Sequence, residues 1–295
     1  MNSSQQTVLD QLDSLGWWYQ HFQLPNGLWT GDGVVPGYNP QVRWEMIAAH
    51  MPADLGGKSV LDLGGNAGYF SIQMKLRGAG RCVLVDPYVE FLEQAKFAAG
   101  QFQVDIEMVC EDSHVYCLTT QERFDYVLLL GLLYHLKYPG IVLDRAAEMT
   151  RERIYIASAV IGPEVEGPAK KANYERYTED DLLLDPGFPK LAFIETLYNS
   201  DPTNWWLPNH SALPALMRSA GLQVVARPHQ HVLVGQPVPD FDQHFGKAVY
   251  GNLVFPRYGK GDGTVHPGAQ NVDATLWKDL GARAAEFRNR QRGQE

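Results

Sequence analysis

Two neighbouring stretches of the chain combine glycines and carboxylates at a spacing that could bind a nucleoside. Residues 60–70 read as a buried apolar strand that runs through Asp62 into a glycine-rich turn and then into a helix. A second apolar strand follows and ends at Asp86. In an open α/β sheet this order brings the turn and the second carboxylate to the carboxyl ends of the strands. A carboxylate there can accept hydrogen bonds from both ribose hydroxyls, so we predict a nucleoside cofactor.

The spacing of the glycines decides between kinds of nucleoside cofactor. A dinucleotide fingerprint requires G-x-G-x-x-G, and neither Gly64 nor Gly65 begins that pattern, because the later positions hold other residues. Residues 57–59 look like the end of a phosphate loop, but they lack its leading glycine and precede a strand instead of a helix. The remaining pattern is an apolar run with Asp62, followed by Gly64 and Gly68. Nothing in this turn is suited to a pyrophosphate.

This pattern, with Asp86 after the second strand, resembles that of the class I S-adenosylmethionine (SAM) methyltransferases. Residues 131–136, Gly-Leu-Leu-Tyr-His-Leu, are similar to the "GVLYH" segment of a branch that includes the tRNA uridine carboxymethyltransferases. Residues 22–27 also resemble that branch. Residues 201–209, which contain Asn-Trp-Trp, are similar to predicted small-molecule methyltransferases of bacterial gene clusters. The resemblance covers residues 20–235.

The resemblance implies an α/β fold with a Rossmann-like, seven-stranded methyltransferase core. It also implies SAM as the cofactor. The residues then expected to bind the cofactor are Asp62, Gly64, Gly65, Asn66, Gly68, Asp86, Pro87, Asp112, Ser113 and Leu130. Asp112 would meet the adenine amino group, although it could equally cap the helix that follows. Asp62 could serve only to cap the loop, and Asp86 could be a turn residue before Pro87.

Apolar strands and helical segments alternate along the chain, which predicts a parallel sheet. We expect strands at 59–63, 81–86, 104–110, 126–130 and 154–158, and helices at 67–78, 88–100, 114–121 and 140–150. A helix at 211–220 and an antiparallel strand pair, 222–225 with 231–234, should complete the sheet. Two helices, at 7–24 and 40–50, precede this core, and a last helix is expected at 273–292.

We divide the chain into three parts. They are an N-terminal helical and aromatic lid segment (1–50), a methyltransferase domain (51–235) and a C-terminal extension (236–295). Within the domain, an irregular insert at 162–210 follows the fifth strand. Since it lies over the carboxyl edge of the sheet, we expect it to form a substrate lid.

The residues expected on the substrate side lie in this insert and after the fourth strand. His135 and His210 are candidate general bases, because imidazole titrates near neutral pH. Tyr134 is the third candidate catalytic residue and should face the cofactor or the substrate. The expected substrate-binding residues are Tyr134, Tyr198, Asn204, Trp205 and Trp206. The tryptophan pair suits a planar or carbohydrate-like surface, or it simply packs the lid.

The composition and net charge of the chain argue against some kinds of binding partner. The chain has 295 residues and a net charge of −9, which argues against a general nucleic-acid binder, because phosphate contacts require clustered Lys and Arg. No stretch approaches the ~18–20 apolar residues of a membrane span, and the N-terminus does not read as a signal peptide. His229 and His231 could share a metal ion, but without a carboxylate nearby we expect no metal. We expect a cytoplasmic protein, and consider a homodimer through the C-terminal extension.

These observations favour a SAM-dependent enzyme that methylates a small molecule at oxygen or nitrogen. One alternative is a methyl or carboxymethyl transferase that acts on tRNA. The tRNA-modifying family carries a basic N-terminal region and a cation for the extra carboxylate of its cofactor, and this chain has little Lys or Arg before Arg43. The other alternative is a non-catalytic subunit with a SAM-binding fold, which would bind the cofactor without turnover.

Overall fold

A central β-sheet flanked by helices forms the core of the computed structural model, which describes residues 3–31, 40–165, 167–168, 180–239 and 241. The strands are β1 Ser59–Leu63, β2 Arg81–Asp86, β3 Glu107–Cys110, β4 Phe124–Leu130, β5 Thr150–Ala157, β6 Leu191–Phe193, β7 Trp206–Pro208, β8 Leu222–His229 and β9 Val232–Pro237. The helices are α1 Ser3–Ser14, α2 Pro40–Ala48, α3 Tyr69–Leu76, α4 Val89–Gln101, α5 Ser113–Thr119, α6 Pro139–Met149, α7 Asp180–Leu184 and α8 Ala212–Ser219, and a 3-10 turn spans Leu133–His135.

The main sheet has seven strands in the order β3-β2-β1-β4-β5-β9-β8. Strands β1 to β5 are parallel, whereas β9 runs antiparallel to both β5 and β8. The predicted Rossmann-like sheet with a terminal antiparallel pair is therefore confirmed. The strand order reverses between β1 and β4, and the carboxyl ends of strands at such a point form the crevice in which ligands bind in open α/β sheets.

The strands at the centre of the sheet are apolar because helices cover both of its faces. One face packs against α2, α3 and α4 and the other against α5, α6 and α8, with a hydrophobic cluster in each layer. Six of the seven residues of β4, for example, are buried. This packing fixes the ends of β1, β2 and β4, from which the polar residues of the candidate site project.

The N-terminal segment differs from the helix expected at 7–24. Helix α1 ends at Ser14, and Gly16 follows with a left-handed φ of 73°. Beyond it the chain is not helical, and Trp18 and Phe22 are buried in the same cluster as α3 and α4. Tertiary packing of these aromatic rings has overridden the helical spacing of the apolar residues.

The described part of the insert contains regular elements that the sequence did not predict. They are α7 and a two-stranded antiparallel sheet of β6 and β7. The compact unit that includes the main sheet extends to Pro239, and a second begins at Asp240. The helix expected at 273–292 and the dimer contact placed in the C-terminal extension lie outside the described residues. Among the described helices, none has the length and apolar character needed to cross a membrane.

Candidate functional site

The loop after β1 adopts the backbone conformation that its glycines allow. Gly64, Asn66 and Gly68 have positive φ values of 69°, 51° and 80°, a region that favours glycine. A Cβ atom on Gly64 would lie 2.9 Å from Leu132 Cδ1, and one on Gly65 would lie 2.5 Å from Leu84 Cγ. The glycines therefore let the loop pass close to the side chains of Leu132 and Leu84.

Asp86, at the end of β2, holds this loop in place. One carboxylate oxygen accepts the backbone N–H of Asn66 at 3.0 Å and the other accepts that of Tyr88 at 3.1 Å. Burial raises the pKa of Asp86, and the two N–H groups act in the opposite direction. Pro87, the next residue, accepts a weak hydrogen bond from the Cys110 thiol through its carbonyl. Asp86 is thus a structural anchor of the loop that still has oxygen lone pairs for a ligand.

A buried acceptor in the loop indicates where a ligand could bind. The side-chain Oδ1 of Asn66 is buried and has no hydrogen-bond partner among the described residues. An unpaired buried acceptor is costly, so a hydroxyl or amino group of a ligand would be stabilising here. Together with Asp86, this atom suits the polar groups of a nucleoside. The described residues therefore fit the predicted cofactor.

Asp62 lies beneath the loop and is almost completely buried. Its carboxylate accepts the hydroxyl of Ser71 at 2.7 Å and so links β1 to α3. Burial raises the pKa of Asp62 to about 7, although the Ser71 hydrogen bond lowers it. The hydrogen bond of Asp62 in the structure is therefore with α3, the helix that follows the loop.

The polar residues after β3 and β4 have well-defined local partners. Asp112 caps α5, because its Oδ1 accepts the N–H groups of His114 and Val115 at 2.8 and 3.3 Å. Ser113 is the buried first residue of that helix. Leu130 ends β4, and its carbonyl accepts a hydrogen bond from the Arg43 guanidinium at 3.4 Å. The capping role considered for Asp112 is present in the structure.

Gln20 supports the loop from the N-terminal segment and had not been expected there. Its side chain is buried, and its amide accepts the N–H of Tyr69 at 3.0 Å and donates to the carbonyl of Gly65 at 3.3 Å. No local pattern indicates this role, because both partners are more than forty residues away in the sequence. Arg43, noted only for its charge, also belongs to the site through Leu130.

The 3-10 turn after β4 brings the insert to the carboxyl edge of the sheet. The carbonyl of Tyr134 accepts the backbone N–H of Trp205 at 2.8 Å, and the rings of Tyr134 and His135 lie 4.2 Å apart. The Thr203 hydroxyl is 2.8 Å from His135 Nδ1 and donates to Asp201 at 2.6 Å. Asp201 and Thr203 were missed as site residues, although they begin the 201–209 segment.

The other residues expected to bind the substrate differ in what their side chains contact. The side-chain amide of Asn204 is used within the insert, where it donates to the carbonyls of Tyr198 and Asp201. Trp206 donates through Nε1 to the Lys137 carbonyl at 2.9 Å and packs on Phe193. The ring of Trp205 is only partly buried, with the Lys137 ammonium 4.9 Å from its centre, and that of Tyr198 is exposed.

The two candidate general bases, His210 and His135, have different neighbours. His210 contacts the Gly162 carbonyl at 3.0 Å and lines a cavity of about 710 Å³ together with α8, whereas the described contacts of His135 are with Tyr134, Asp201 and Thr203. His229 and His231 face each other with their Nδ1 atoms 2.9 Å apart. Burial, His229, Arg43 and His210 lower the pKa of His231 to about 4. No cluster of three or more potential metal ligands occurs within the described ranges.

Comparison with known proteins places the chain in a family. Residues 45–227 match the family described as "Methyltransferase domain". The chain is similar to the tRNA U34 carboxymethyltransferase of Colwellia psychrerythraea, with 36% identity over 186 residues, and to that of Ectopseudomonas mendocina, with 27% identity over 188 residues. Each match covers 62% of this chain and 50% of the relative. The chain thus spans about half the length of these curated relatives.

Solved structures show the same fold. The N-terminal domain of EvdMO1 with SAH bound is 21% identical, with a TM-score of 0.56, and the same domain in the presence of SAH and D-fucose is 20% identical, with a TM-score of 0.53. Each match covers 80% of this chain and 98% of that domain. The predicted fold class and SAM cofactor are confirmed. Since the family match covers more than half of the chain, the protein belongs to the methyltransferase-domain family, the class I enzymes whose cofactor is SAM.

Proposed function

We propose that the protein transfers the methyl group of SAM to a small molecule, at an oxygen or nitrogen atom, and that the acceptor has a planar or sugar-like face. SAM supplies a methyl group already activated by the positive charge of its sulfonium. The protein must hold the cofactor, align the acceptor and exclude water. Asp86 and the loop with Asn66 would hold the nucleoside, and Leu130 marks the strand end beside it.

The observation that carries this proposal is the hydrogen bond from the Trp205 N–H to the Tyr134 carbonyl. It ties the insert to the turn that directly follows β4, so Tyr134, His135 and Trp205 lie at the same edge of the sheet as the glycine loop. A partly buried indole beside groups that can hydrogen bond is a common way to bind a flat or carbohydrate-like molecule. One protein of the same fold, the N-terminal domain of EvdMO1, was crystallised in the presence of D-fucose, a ligand of this class.

A tRNA acceptor is the second candidate, because the curated relatives are named tRNA U34 carboxymethyltransferases. The charge of the chain favours the small molecule. The net charge is −9, and affinity for a nucleic-acid backbone depends on Lys and Arg contacts with phosphates. Arg43 and Lys137 are cations close to the described site, but a tRNA would need a much larger basic surface.

The experiment that distinguishes these functions uses methyl-deuterated SAM. The purified full chain is incubated with a small-molecule extract of the source cells or with their total tRNA, and both are analysed by mass spectrometry. At a SAM concentration near the wild-type Kd, we expect a deuterated small molecule with the wild type and with Asp105→Ala, an exposed control, and much less of it with Asp86→Ala. Label in tRNA alone would establish the second candidate.

Two further outcomes would contradict the proposal, one that the protein is a catalyst and the other that it binds SAM. If calorimetry shows SAM binding while neither pool becomes labelled, the protein is a non-catalytic SAM-binding subunit. If SAM does not bind at all, the proposed function is wrong.

A further inference from the structure

A hydrogen-bonded chain of three side chains joins the insert to the turn after β4. Asp201 Oδ1 accepts the Thr203 hydroxyl at 2.6 Å, and the same hydroxyl oxygen lies 2.8 Å from His135 Nδ1. A second carboxylate oxygen of Asp201 is 3.9 Å from Nδ1. Thr203 and His135 are 68 residues apart in the sequence, so these hydrogen bonds form only when the insert is docked on the turn.

The positions of the protons in this chain follow from what each group can donate. An ionised carboxylate only accepts hydrogen bonds, so the single hydroxyl proton of Thr203 must point to Asp201. The Thr203 oxygen then offers a lone pair to His135, and Nδ1 must donate to it. In the neutral ring this leaves the lone pair on Nε2.

The local electrostatics keep both end groups in the required charge state at neutral pH. Burial raises the pKa of Asp201, but the Thr203 hydroxyl and N–H and the nearby imidazole more than offset this, so its pKa lies below the usual value. Burial lowers the pKa of His135 despite the opposing effects of Asp201 and Thr203, so the imidazole is neutral at pH 7. The Tyr134 ring also faces the imidazole, and the Lys137 ammonium lies over the ring of Trp205.

His135 lies at the carboxyl edge of the sheet. His135 ends the turn that follows β4, and its side chain keeps 29% of its surface exposed. Its neighbour Tyr134 has its hydroxyl 3.5 Å from the point where a Cβ on Gly131 would lie, directly after β4. The partly exposed imidazole thus belongs to a turn at the carboxyl edge of the sheet, where SAM binds in this family.

We propose that Asp201 and Thr203 are positioning residues that orient His135 as a general base, and that the methyl acceptor is consequently a hydroxyl group. This inference rests on the proposed function. The acceptor hydroxyl gives its proton to Nε2 while its oxygen bonds to the methyl carbon. The bond between that carbon and sulfur breaks, its electron pair stays on sulfur, and the positive charge moves from the sulfonium to the imidazolium.

The need for a base separates hydroxyl from amine acceptors. A neutral amine attacks with a lone pair that it already carries and can lose its proton to water afterwards. A hydroxyl gains most of its nucleophilicity when a positioned base removes its proton in the transition state, which contributes ~10²–10⁴-fold to the rate. A histidine with a fixed tautomer and an available Nε2 therefore serves an oxygen acceptor.

The tautomer of His135 can be measured without knowing the acceptor. We would record long-range ¹H–¹⁵N spectra of the full ¹⁵N-labelled chain above pH 6.5, with His135→Gln to assign the signals. We expect wild type and Thr203→Ser to carry the proton on Nδ1, and Thr203→Val to lose that preference. A wild-type ring protonated on Nε2, or a tautomer unchanged in Thr203→Val, would overturn the positioning role.

The atom of the acceptor that receives the deuterated methyl group then tests whether His135 acts as a general base. We expect the label on oxygen, a ~100-fold or larger loss of kcat in His135→Gln with little change in KM, and a smaller loss in Thr203→Val that Thr203→Ser restores. A label on nitrogen or carbon, or full kcat in His135→Gln, would overturn the hydroxyl assignment. Failure of the proposed function is distinct, since it would appear as no labelled small molecule despite the expected tautomer.

Discussion

The backbone N–H of Asn66 donates to the carboxylate of Asp86 at 3.0 Å, across twenty residues of sequence. This bond ties the loop after β1 to the end of β2, the neighbouring strand. The carboxylate that we propose binds the cofactor is thus also the group that holds the loop after β1 in place. Substitution of Asp86 should therefore change both SAM binding and the structure of the loop after β1.

Asp86→Ala should weaken SAM binding by ~10- to 100-fold. The change removes charge-assisted hydrogen bonds worth ~1.5–3 kcal/mol, and 1.4 kcal/mol corresponds to a tenfold change in affinity. Asp86→Asn, which keeps one acceptor oxygen, should fall between this variant and the wild type. Isothermal titration calorimetry with SAM measures the effect, and the exposed Asp105→Ala is the control. Equal affinities in all four proteins would exclude a cofactor role for Asp86.

Gln20→Ala should destabilise the fold and weaken SAM binding. The buried amide contacts the loop at Gly65 and the start of α3 at Tyr69, and its loss leaves buried polar groups unpaired at a cost of ~1–3 kcal/mol. Thermal unfolding with and without SAM measures both effects. Gln23→Ala is the matched control, because that exposed side chain bonds only to Gly27. If the two variants behave alike, the N-terminal segment does not support the loop.

Local patterns were sufficient to predict the centre of the fold. Both β1 and β2 have the predicted bounds, because each is an apolar run that ends at a polar or glycine residue. The position of Asp86 at the end of the second strand was also predicted, and the structure places it there, in contact with the loop after β1. The helix expected at 7–24 was wrong beyond Ser14, because burial of Trp18 and Phe22 against α3 and α4 decides the path of that segment.

The parts of the site that were missed depend on contacts distant in sequence. Gln20 reaches partners 45 and 49 residues away, and Thr203 reaches His135 across 68 residues. No local pattern encodes such pairs, because they form only when separate elements pack together. Asn204 and Trp206 were expected to bind the substrate, and in the structure their side-chain N–H groups donate to backbone carbonyls of the protein itself.

Asp62→Asn should change how stability depends on pH. The pKa of Asp62 is raised by burial from the ordinary 3.8 to about 7, so between these values the folded chain keeps a proton that the unfolded chain has lost. The contribution of this carboxyl to stability therefore falls as pH rises from 4 to 7. The asparagine cannot ionise, so the variant should gain stability relative to wild type over that range.

Urea unfolding of the cofactor-free protein at pH 4.5, 6 and 7.5 measures this dependence. Asp62→Ala is the comparison, since it cannot ionise either and should stay ~1–3 kcal/mol less stable than Asp62→Asn at every pH, because the buried Ser71 hydroxyl then lacks its acceptor. A difference between wild type and Asp62→Asn that does not vary with pH would show that Asp62 is already ionised at pH 4.5 in the folded protein.

Trp206→Phe should loosen the insert without unfolding the core. The indole Nε1 donates to the Lys137 carbonyl, next to the turn that holds Tyr134 and His135, whereas the ring packs on Phe193. Phenylalanine keeps the ring contact and loses the hydrogen bond, at a cost of ~0.5–1.5 kcal/mol. Hydrogen exchange should become faster at β6, β7 and the Trp205 amide while β1 and β4 stay protected. Trp17→Phe, an exposed indole, is the control, and equal exchange in both variants would mean that the Lys137 contact does not hold the insert.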